Sequence, residues 1–341
     1  MSSDIIMFGM GAMGRRMARL ASERGHRIRA AIDLDPAKRD VPLNELPDLA
    51  TGPADVRVSA EPDAALDRPG AVVLHATGSF LHEVEPQIRR CIEHGHDVVS
   101  IAEEMAFPSA ADAATAAALD DTARAHGVRV LGTGVNPGFA MDVLLLALTT
   151  PCGRVDHVQA TRRNDLSDFG ATVLRTQGVG LTPEEFAAAL AAGTVVGHIG
   201  FRQSIMLVAR GLGWRIDEIV ETREPIVSEV ERSTPHVRVL PGQVAGCHHC
   251  AVARSGGREV LRFAHPQQIR PELEGRTTSD EIRVTGDQEI HMTISPEIGG
   301  GAGTAACAVN AVDRLAHAPA GLVHVTDLPI AAPRIGGADG P

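Results

Sequence analysis

DIIMFGMGAMGRRMARLASERG, residues 4–25, decides the fold class. The apolar run DIIMFG has the length and composition of a buried strand, and RRMARLASERG has the periodicity of an amphipathic helix that stops at Gly25. Between them lies Gly9-Met10-Gly11-Ala12-Met13-Gly14. A GxGxxG at such a junction permits a tight turn, close approach of a pyrophosphate and close packing of helix on sheet. The helix start, with Ala12 and Met13, adds unsatisfied N–H groups and the positive end of a dipole. HRIRAAID then forms a second strand ending in Asp33, placed to bind the ribose hydroxyls of an adenosine. Lys38 and Arg39 follow, either to meet a ribose 2′-phosphate or as a solvated loop. Asp33 repels such a phosphate, so NAD is favoured over NADP.

Outward from this unit, VRVS, AVVLHAT, HDVVSI and VRVLGTG are short strands, most of them separated by helical stretches such as LHEVEPQIRRCIEHG and ADAATAAALDDTARAHG. Strand–helix alternation means a parallel sheet covered on both faces. The fold class is α/β, an N-terminal Rossmann doubly wound sheet. In HATGSF, the small residues Thr77 and Gly78 let the chain pass beneath a cofactor. Beyond residue 137 the rhythm changes to longer alternating segments, among them RVDHVQATRRN, HVRVLPGQVAGCHHCAVA and EIRVTG. These form a mixed sheet with one exposed face, an α+β domain. TPEEFAAALAAG and HIGFRQSIMLVARGLG are its helices, the second starting at His198. GGGAG leads into a late helix, TAACAVNAVDRLAHA, where Thr304 caps the N-terminus or presents its N–H groups to a ligand. The Pro/Gly-rich tail from Ala331 is expected to be loose. Cys247-His248-His249-Cys250 has metal-ligand residue types. In a strand, however, Cys247 and His249 share one face and His248 and Cys250 the other, so no metal is expected.

Composition narrows the chemistry. The chain has 341 residues and a net charge of −11, which argues against nucleic acid or an anionic membrane as partner. No apolar run reaches the length of a spanning helix, and the N-terminus lacks the pattern of a secretion signal. Five scattered cysteines suit a reducing cytoplasm. There is no tyrosine, and the single lysine is Lys38. Acid–base chemistry must therefore use Glu, Asp, His, Cys or water. Paired acids occur in SIAEEMAFP, residues 100–108: Glu103 and Glu104 end a predicted strand. Taken alone, they read as exposed acids favoured by a helix dipole. Asn136, in GTGVNPGFAMD, follows the sixth strand at the same sheet edge, where ligands of such folds bind.

With GMGAMG, HATGSF, SIAEEMAFP, GTGVNPGFAMD, LTPEEF, GHIGFRQS, TAACAVNAV and GLVHVTDLP assembled, the chain resembles the dihydrodipicolinate-reductase-like oxidoreductases. Within them it is similar to the 2,4-diaminopentanoate dehydrogenase and native amine dehydrogenase group. The resemblance implies a dinucleotide-binding Rossmann domain over 1–136 and a substrate and dimerisation domain over 137–303. A C-terminal segment, 304–341, returns to the first. It implies a homodimer and hydride transfer between an amine and NAD or NADP, with ammonia and a carbonyl as the other partners. Related sugar oxidoreductases carry Glu-Lys-Pro where this chain has AEE. That alignment sets Glu103 at a structural glutamate and Glu104 at the catalytic position. Asn136, Met141, Arg162, Asn164, His198 and Thr304 fall at pocket positions. The chain departs from the pattern in lacking the lysine of dihydrodipicolinate reductases, and in having no tyrosine in DLSDFGATVLR. A carbonyl reductase that does not use ammonia, or a dinucleotide sensor without turnover, are the alternatives.

Overall fold

The computed structural model describes residues 2–50 and 52–333; all but the first three residues of the Pro/Gly-rich tail lie outside them. Two compact units emerge, Met1–Phe139 with Gly299–Pro341, and Ala140–Ile298.

The first unit is built on seven parallel strands in the order β15-β6-β5-β4-β1-β2-β3. They are β1 (Asp4–Phe8), β2 (Arg27–Ile32), β3 (Val58–Ser59), β4 (Val72–His75), β5 (Asp97–Ser100), β6 (Arg129–Gly132) and β15 (Gly321–Val323). Alternate residues of one strand face opposite ways, and both faces are covered. Ile5, Met7, Leu74, Val99 and Leu131 join one apolar cluster with helices α1 (Ala12–Glu23) and α9 (Gly300–Leu315). Ile6, Phe8, Val73, Val98 and Val130 join the other with α3 (Leu81–Glu93) and α4 (Ala113–Ala125). A short helix, α2 (Pro62–Ala65), follows β3. α1 buries Gly14, Met17, Ala18 and Ala21, the stripe its sequence period requires. It ends where expected: Gly25 at φ +80° lets the His26 N–H return to the Ala21 carbonyl.

α9 corrects an expectation. Gly300, Gly301 and Gly303 of GGGAG belong to the helix and Gly299 is its N-cap, so Thr304 is the fifth helical residue and does not cap it. Glycine is a poor helix former, yet three glycines open this helix where it passes α1. A Cβ on Gly301 would lie 2.7 Å from Arg16 Nη1 of α1.

The second unit carries a six-stranded mixed sheet in the order β14-β13-β7-β12-β11-β8. Its strands are β7 (Val155–Asp165), β8 (Glu218–Val227), β11 (Val244–Ser255), β12 (Arg258–Gln268), β13 (Ser279–Gly286) and β14 (Ile290–Ile294). β7 and β12 run parallel and the other neighbours antiparallel. β9 (Arg232–Ser233) and β10 (Arg238–Val239) form a separate ribbon. Pro225 sits in β8, an edge strand, where a missing N–H is tolerated. Helices α5 (Val143–Thr149), α6 (Ala171–Thr176), α7 (Pro183–Ala191) and α8 (Phe201–Leu212) complete the unit. α7 starts with a full capping box from Thr182 and Glu185. α8 begins three residues later than its sequence suggests, because Gly200 at φ +114° turns the chain just before it. His198 is therefore a loop residue.

Candidate active site

The glycines after β1 divide by role. A Cβ on Gly14 would stand 1.8 Å from the Gly9 carbonyl oxygen, so α1 packs on its strand only through glycine. Gly9, at φ +98°, has no room either, with the Ala76 carbonyl 2.4 Å from an added Cβ. Gly11 is different: no atom lies within 4 Å of the added Cβ. Nothing in the fold itself needs glycine there. A side chain would instead fill the space over the α1 N-terminus, where a pyrophosphate approaches.

Asp33 directly follows β2. Its Oδ2 accepts from the Met10 N–H and from Lys38 Nζ, both at 2.8 Å, and its Oδ1 accepts from the Asp35 N–H at 2.9 Å. Desolvation pushes this carboxyl up, but the Lys38 ammonium and the two amides outweigh it and hold its pKa below the usual carboxylate range. Lys38 is thus neither a solvated loop residue nor free for a phosphate; it bridges Asp33 and Asp35. Arg39 turns toward Glu61, an exposed pair. At the end of β4, His75 is completely buried, with Nδ1 3.1 Å from Ser100 Oγ and Nε2 2.9 Å from Gln87 Oε1. Thr77 Oγ1 donates to the same Gln87 oxygen at 2.6 Å. Burial drives the His75 pKa down to about 4, so the imidazole is neutral.

The two glutamates lie in a single turn of 3₁₀ helix, Glu103–Ala106, just past β5. Residues 79–81, at the start of α3, hold both. The Ser79 hydroxyl donates to the Glu103 carboxylate. The Ser79 carbonyl accepts from the Glu104 N–H at 3.1 Å, and the Leu81 N–H donates to Glu104 Oε2 at 2.6 Å. Glu104 is thereby aimed by an orphan amide of a helix start. Desolvation, and then its charged neighbour Glu104, raise the Glu103 pKa, with Ser79 opposing. Two carboxylates at the C-terminal edge of a parallel sheet, one desolvated and one anchored, can exchange protons with a bound cation. Asn136, four residues past β6, has both polar atoms of its amide buried without a hydrogen-bond partner among the described residues. Thr304 Oγ1 accepts from the neighbouring Val135 N–H at 3.1 Å.

The second unit gathers another polar cluster. Arg162 is 2% exposed; its Nη1 donates to Asp280 Oδ1 at 2.6 Å, and its Nη2 donates to the Ile298 carbonyl. The guanidinium is thus occupied within the fold, which the sequence pattern of β7 alone does not reveal. Asn164 Oδ1 accepts from His265 Nε2 at 2.9 Å. The His265 and His198 rings pack edge to face with centroids 4.8 Å apart. His265 Nδ1 and His198 Nε2 are buried, and among the described residues neither has a partner. Burial, then the neighbouring His249 and Arg162, take the His198 pKa down to about 3; burial, then His198 and Arg162, take that of His265 well below its ordinary value. Met141 is buried in the same unit. His265 was not anticipated from the sequence, although AHP within a strand pattern was a visible signal. The CHHC run does lie in a strand, β11, with Cys247 and His249 fully buried and His248 and Cys250 on the other face.

A glycine turn with open space over the start of α1, an acid just after β2 and a carboxylate pair at the same sheet edge define a nicotinamide-dependent oxidoreductase. The comparisons sharpen this to one that acts on an amine. The profile of the 2,4-diaminopentanoate dehydrogenase C-terminal domain matches residues 139–339. The chain is 37% identical to the 2,4-diaminopentanoate dehydrogenase of Acetoanaerobium sticklandii over 96% of its own length and 93% of the relative's. It belongs to that family. The solved amine dehydrogenase of Mycobacterium smegmatis superposes with a TM-score of 0.87, at 23% identity and 98% coverage of both chains. A WlbA dehydrogenase from Thermus thermophilus, solved with NAD and alpha-ketoglutarate, matches at a TM-score of 0.51 and 14% identity, over 86% of this chain and 83% of that one. The carbonyl-reductase and sensor alternatives are not favoured. Among the described residues, no helix is long and apolar enough to cross a membrane.

Proposed function

We propose that the chain catalyses the reversible oxidative deamination of a small amine or diamino acid, releasing ammonia, with Glu104 as acid/base. The observation that carries this is the carboxylate pair gripped by residues 79–81 at the ligand-binding edge of the sheet. When bound, the dinucleotide supplies the hydride acceptor. Glu104 takes a proton from the substrate ammonium and frees the nitrogen lone pair, which forms the C=N bond as the C–H bond breaks. Once that proton has passed to solvent, the carboxylate is negative again and stabilises the iminium. The same carboxylate deprotonates the water that adds to the iminium carbon and returns that proton to the nitrogen of the tetrahedral carbinolamine, which loses ammonia as its hydroxyl gives up a proton to leave the carbonyl. Asn136, whose amide has no partner among the described residues, orients the nicotinamide or the substrate. The raised pKa of Glu103 favours a second reading in which that residue carries the proton.

Residues 1–136 hold the dinucleotide through Gly9, Gly11, Ala12, Met13, Gly14, Asp33, Thr77 and Gly78. Asp33 favours NAD over NADP. Residues 137–303 supply the substrate contacts Met141, Asn164 and His198 and the surface of a homodimer. The segment 304–341, with Thr304, returns to the first domain. Scattered free cysteines fit a cytoplasmic enzyme. Because the relative is named for it, 2,4-diaminopentanoate heads the substrate list. The test is purified protein with NADH or NADPH and a carbonyl panel, with and without ammonium, together with oxidation of 2,4-diaminopentanoate. Ammonium-dependent loss of reduced cofactor is expected; loss independent of ammonium, or binding without turnover, overturns the proposal.

A further inference from the structure

We propose that His249, the third residue of the CHHC run, is a positioning residue that sets where the His198 imidazole sits. The His198 backbone N–H donates to His249 Nδ1 at 3.0 Å. On the other side of the ring, Nε2 lies 3.1 Å from Glu221 Oε2. A carboxylate accepts only, so His249 carries its proton on Nε2 and leaves Nδ1 as an acceptor for His198. Glu221 is itself fixed by Arg223 at 2.7 Å and Arg202 at 3.2 Å. With the His249 hydrogen bond first, these contacts hold its carboxyl well below the ordinary range, so the acceptor persists at neutral pH.

The rest of the loop before α8 is gripped residue by residue. Arg223 Nε donates to the Val196 carbonyl at 2.7 Å, and Gln177 Nε2 to the Gly197 carbonyl at 2.8 Å. Gly197 stands at φ +70°, and a Cβ there would lie 2.9 Å from His249 Nδ1. Only glycine lets the chain pass close enough for the next N–H to reach the imidazole. A loop held this firmly ends on a ring whose Nε2 is buried and has no partner among the described residues. A buried polar atom without a partner is costly unless a ligand supplies one. The anchoring therefore serves to present that atom. The CHHC run supplies this support from the buried face of β11.

The inference rests on the reading of His198 as a substrate contact, and the experiment separates the two. KM for 2,4-diaminopentanoate, or for the fastest amine of the panel, is measured with kcat, and calorimetry gives the Kd of the dinucleotide. His249→Leu removes the acceptor and is expected to raise KM by about tenfold or more, leaving the dinucleotide Kd within about twofold. His249→Asn puts a carbonyl oxygen near the Nδ1 position and should recover most of the loss. In a His198→Ala background, His249→Leu should add nothing further to KM, because its effect passes through His198. If His198→Ala leaves KM unchanged, the substrate reading of His198 fails. If His198→Ala raises KM while His249→Leu does not, or if the two effects multiply, His249 is not a positioning residue. Equal impairment of the Leu and Asn variants overturns it too. Should His249→Leu not fold, Arg223→Met, which releases the Val196 carbonyl of the same loop, is judged by the same outcomes.

Discussion

Arg162 is a guanidinium that a substrate carboxylate would suit, yet the fold has already occupied it. Its side chain and that of Asp280 are 2% and 3% exposed, and they meet at 2.6 Å. Asp280 Oδ2 also accepts from the Ile298 N–H at 2.8 Å. Replacing Arg162 with Met strands a buried carboxylate that retains one amide donor. Breaking such a pair costs about 3–5 kcal/mol, on the order of 10²–10⁴ in the folded-to-unfolded ratio. Removing both charges, in Arg162→Met/Asp280→Leu, should return most of that stability, since a buried pair is roughly balanced by well-packed apolar side chains. Trp214, the single tryptophan, lies within the unit 140–298, so its fluorescence in urea reports on that unit. The single variant should unfold at a clearly lower urea concentration and the double variant near the wild-type midpoint. Turnover of charged and uncharged amines should fall together in the single variant. A wild-type midpoint for Arg162→Met, with activity lost only for amines that carry a carboxylate, would refute this and return Arg162 to the substrate.

Glu104→Gln should lower kcat by about 10²–10⁴-fold while the dinucleotide Kd stays put; a larger loss in Glu103→Gln would exchange the two roles. Asp33→Ser should weaken NAD binding by about tenfold or more and improve NADP relative to NAD, as read by calorimetry with each cofactor; an unmoved ratio would show that Asp33 does not hold the ribose. His75 is buried and neutral with its pKa taken down to about 4, whereas a histidine in the unfolded chain titrates near 6.5. The unfolded chain therefore binds the proton first, so stability is full above about pH 6.5 and falls as pH drops toward 4, by about 3 kcal/mol in all. His75→Gln should flatten that slope in urea titrations at pH 7 and pH 5; identical slopes would mean that His75 titrates alike in both states.

Much of the first unit was legible because its signals are local. The GMGAMG turn, the acid after β2 and the alternation of apolar strands with helices each lie within about 30 residues of chain. The strand placement of the CHHC run was legible for the same reason. What escaped depends on partners far off in sequence. Asp280 meets Arg162 across 118 positions, and Leu81 meets Glu104 across 23. Local propensity also misled at the starts of two helices, α9 in the first unit and α8 in the second. GGGAG reads as a loop until Arg16 is seen to lie against Gly301, and GHIGF reads as a helix start until Gly200 turns the chain. VLLLALT is too short for its period to declare α5, which only packing makes visible.

The grip of residues 79–81 on the two glutamates is of two different kinds. Glu103 is held by the hydroxyl of Ser79, a side chain that any single substitution can rewrite. Glu104 is held by a main-chain amide at its carboxylate and a main-chain carbonyl at its own N–H, which exchange of side chains leaves in place. Adjacent in sequence and identical in chemistry, the two acids are thus unequal before selection: one is adjustable and the other hard-wired. Drift at position 79 can retune the proton affinity of the site while the aim of its second carboxylate is inherited with the backbone. An engineer who wants a different proton affinity at Glu103 can work on the Ser79 side chain, whereas re-aiming Glu104 means rebuilding the start of α3.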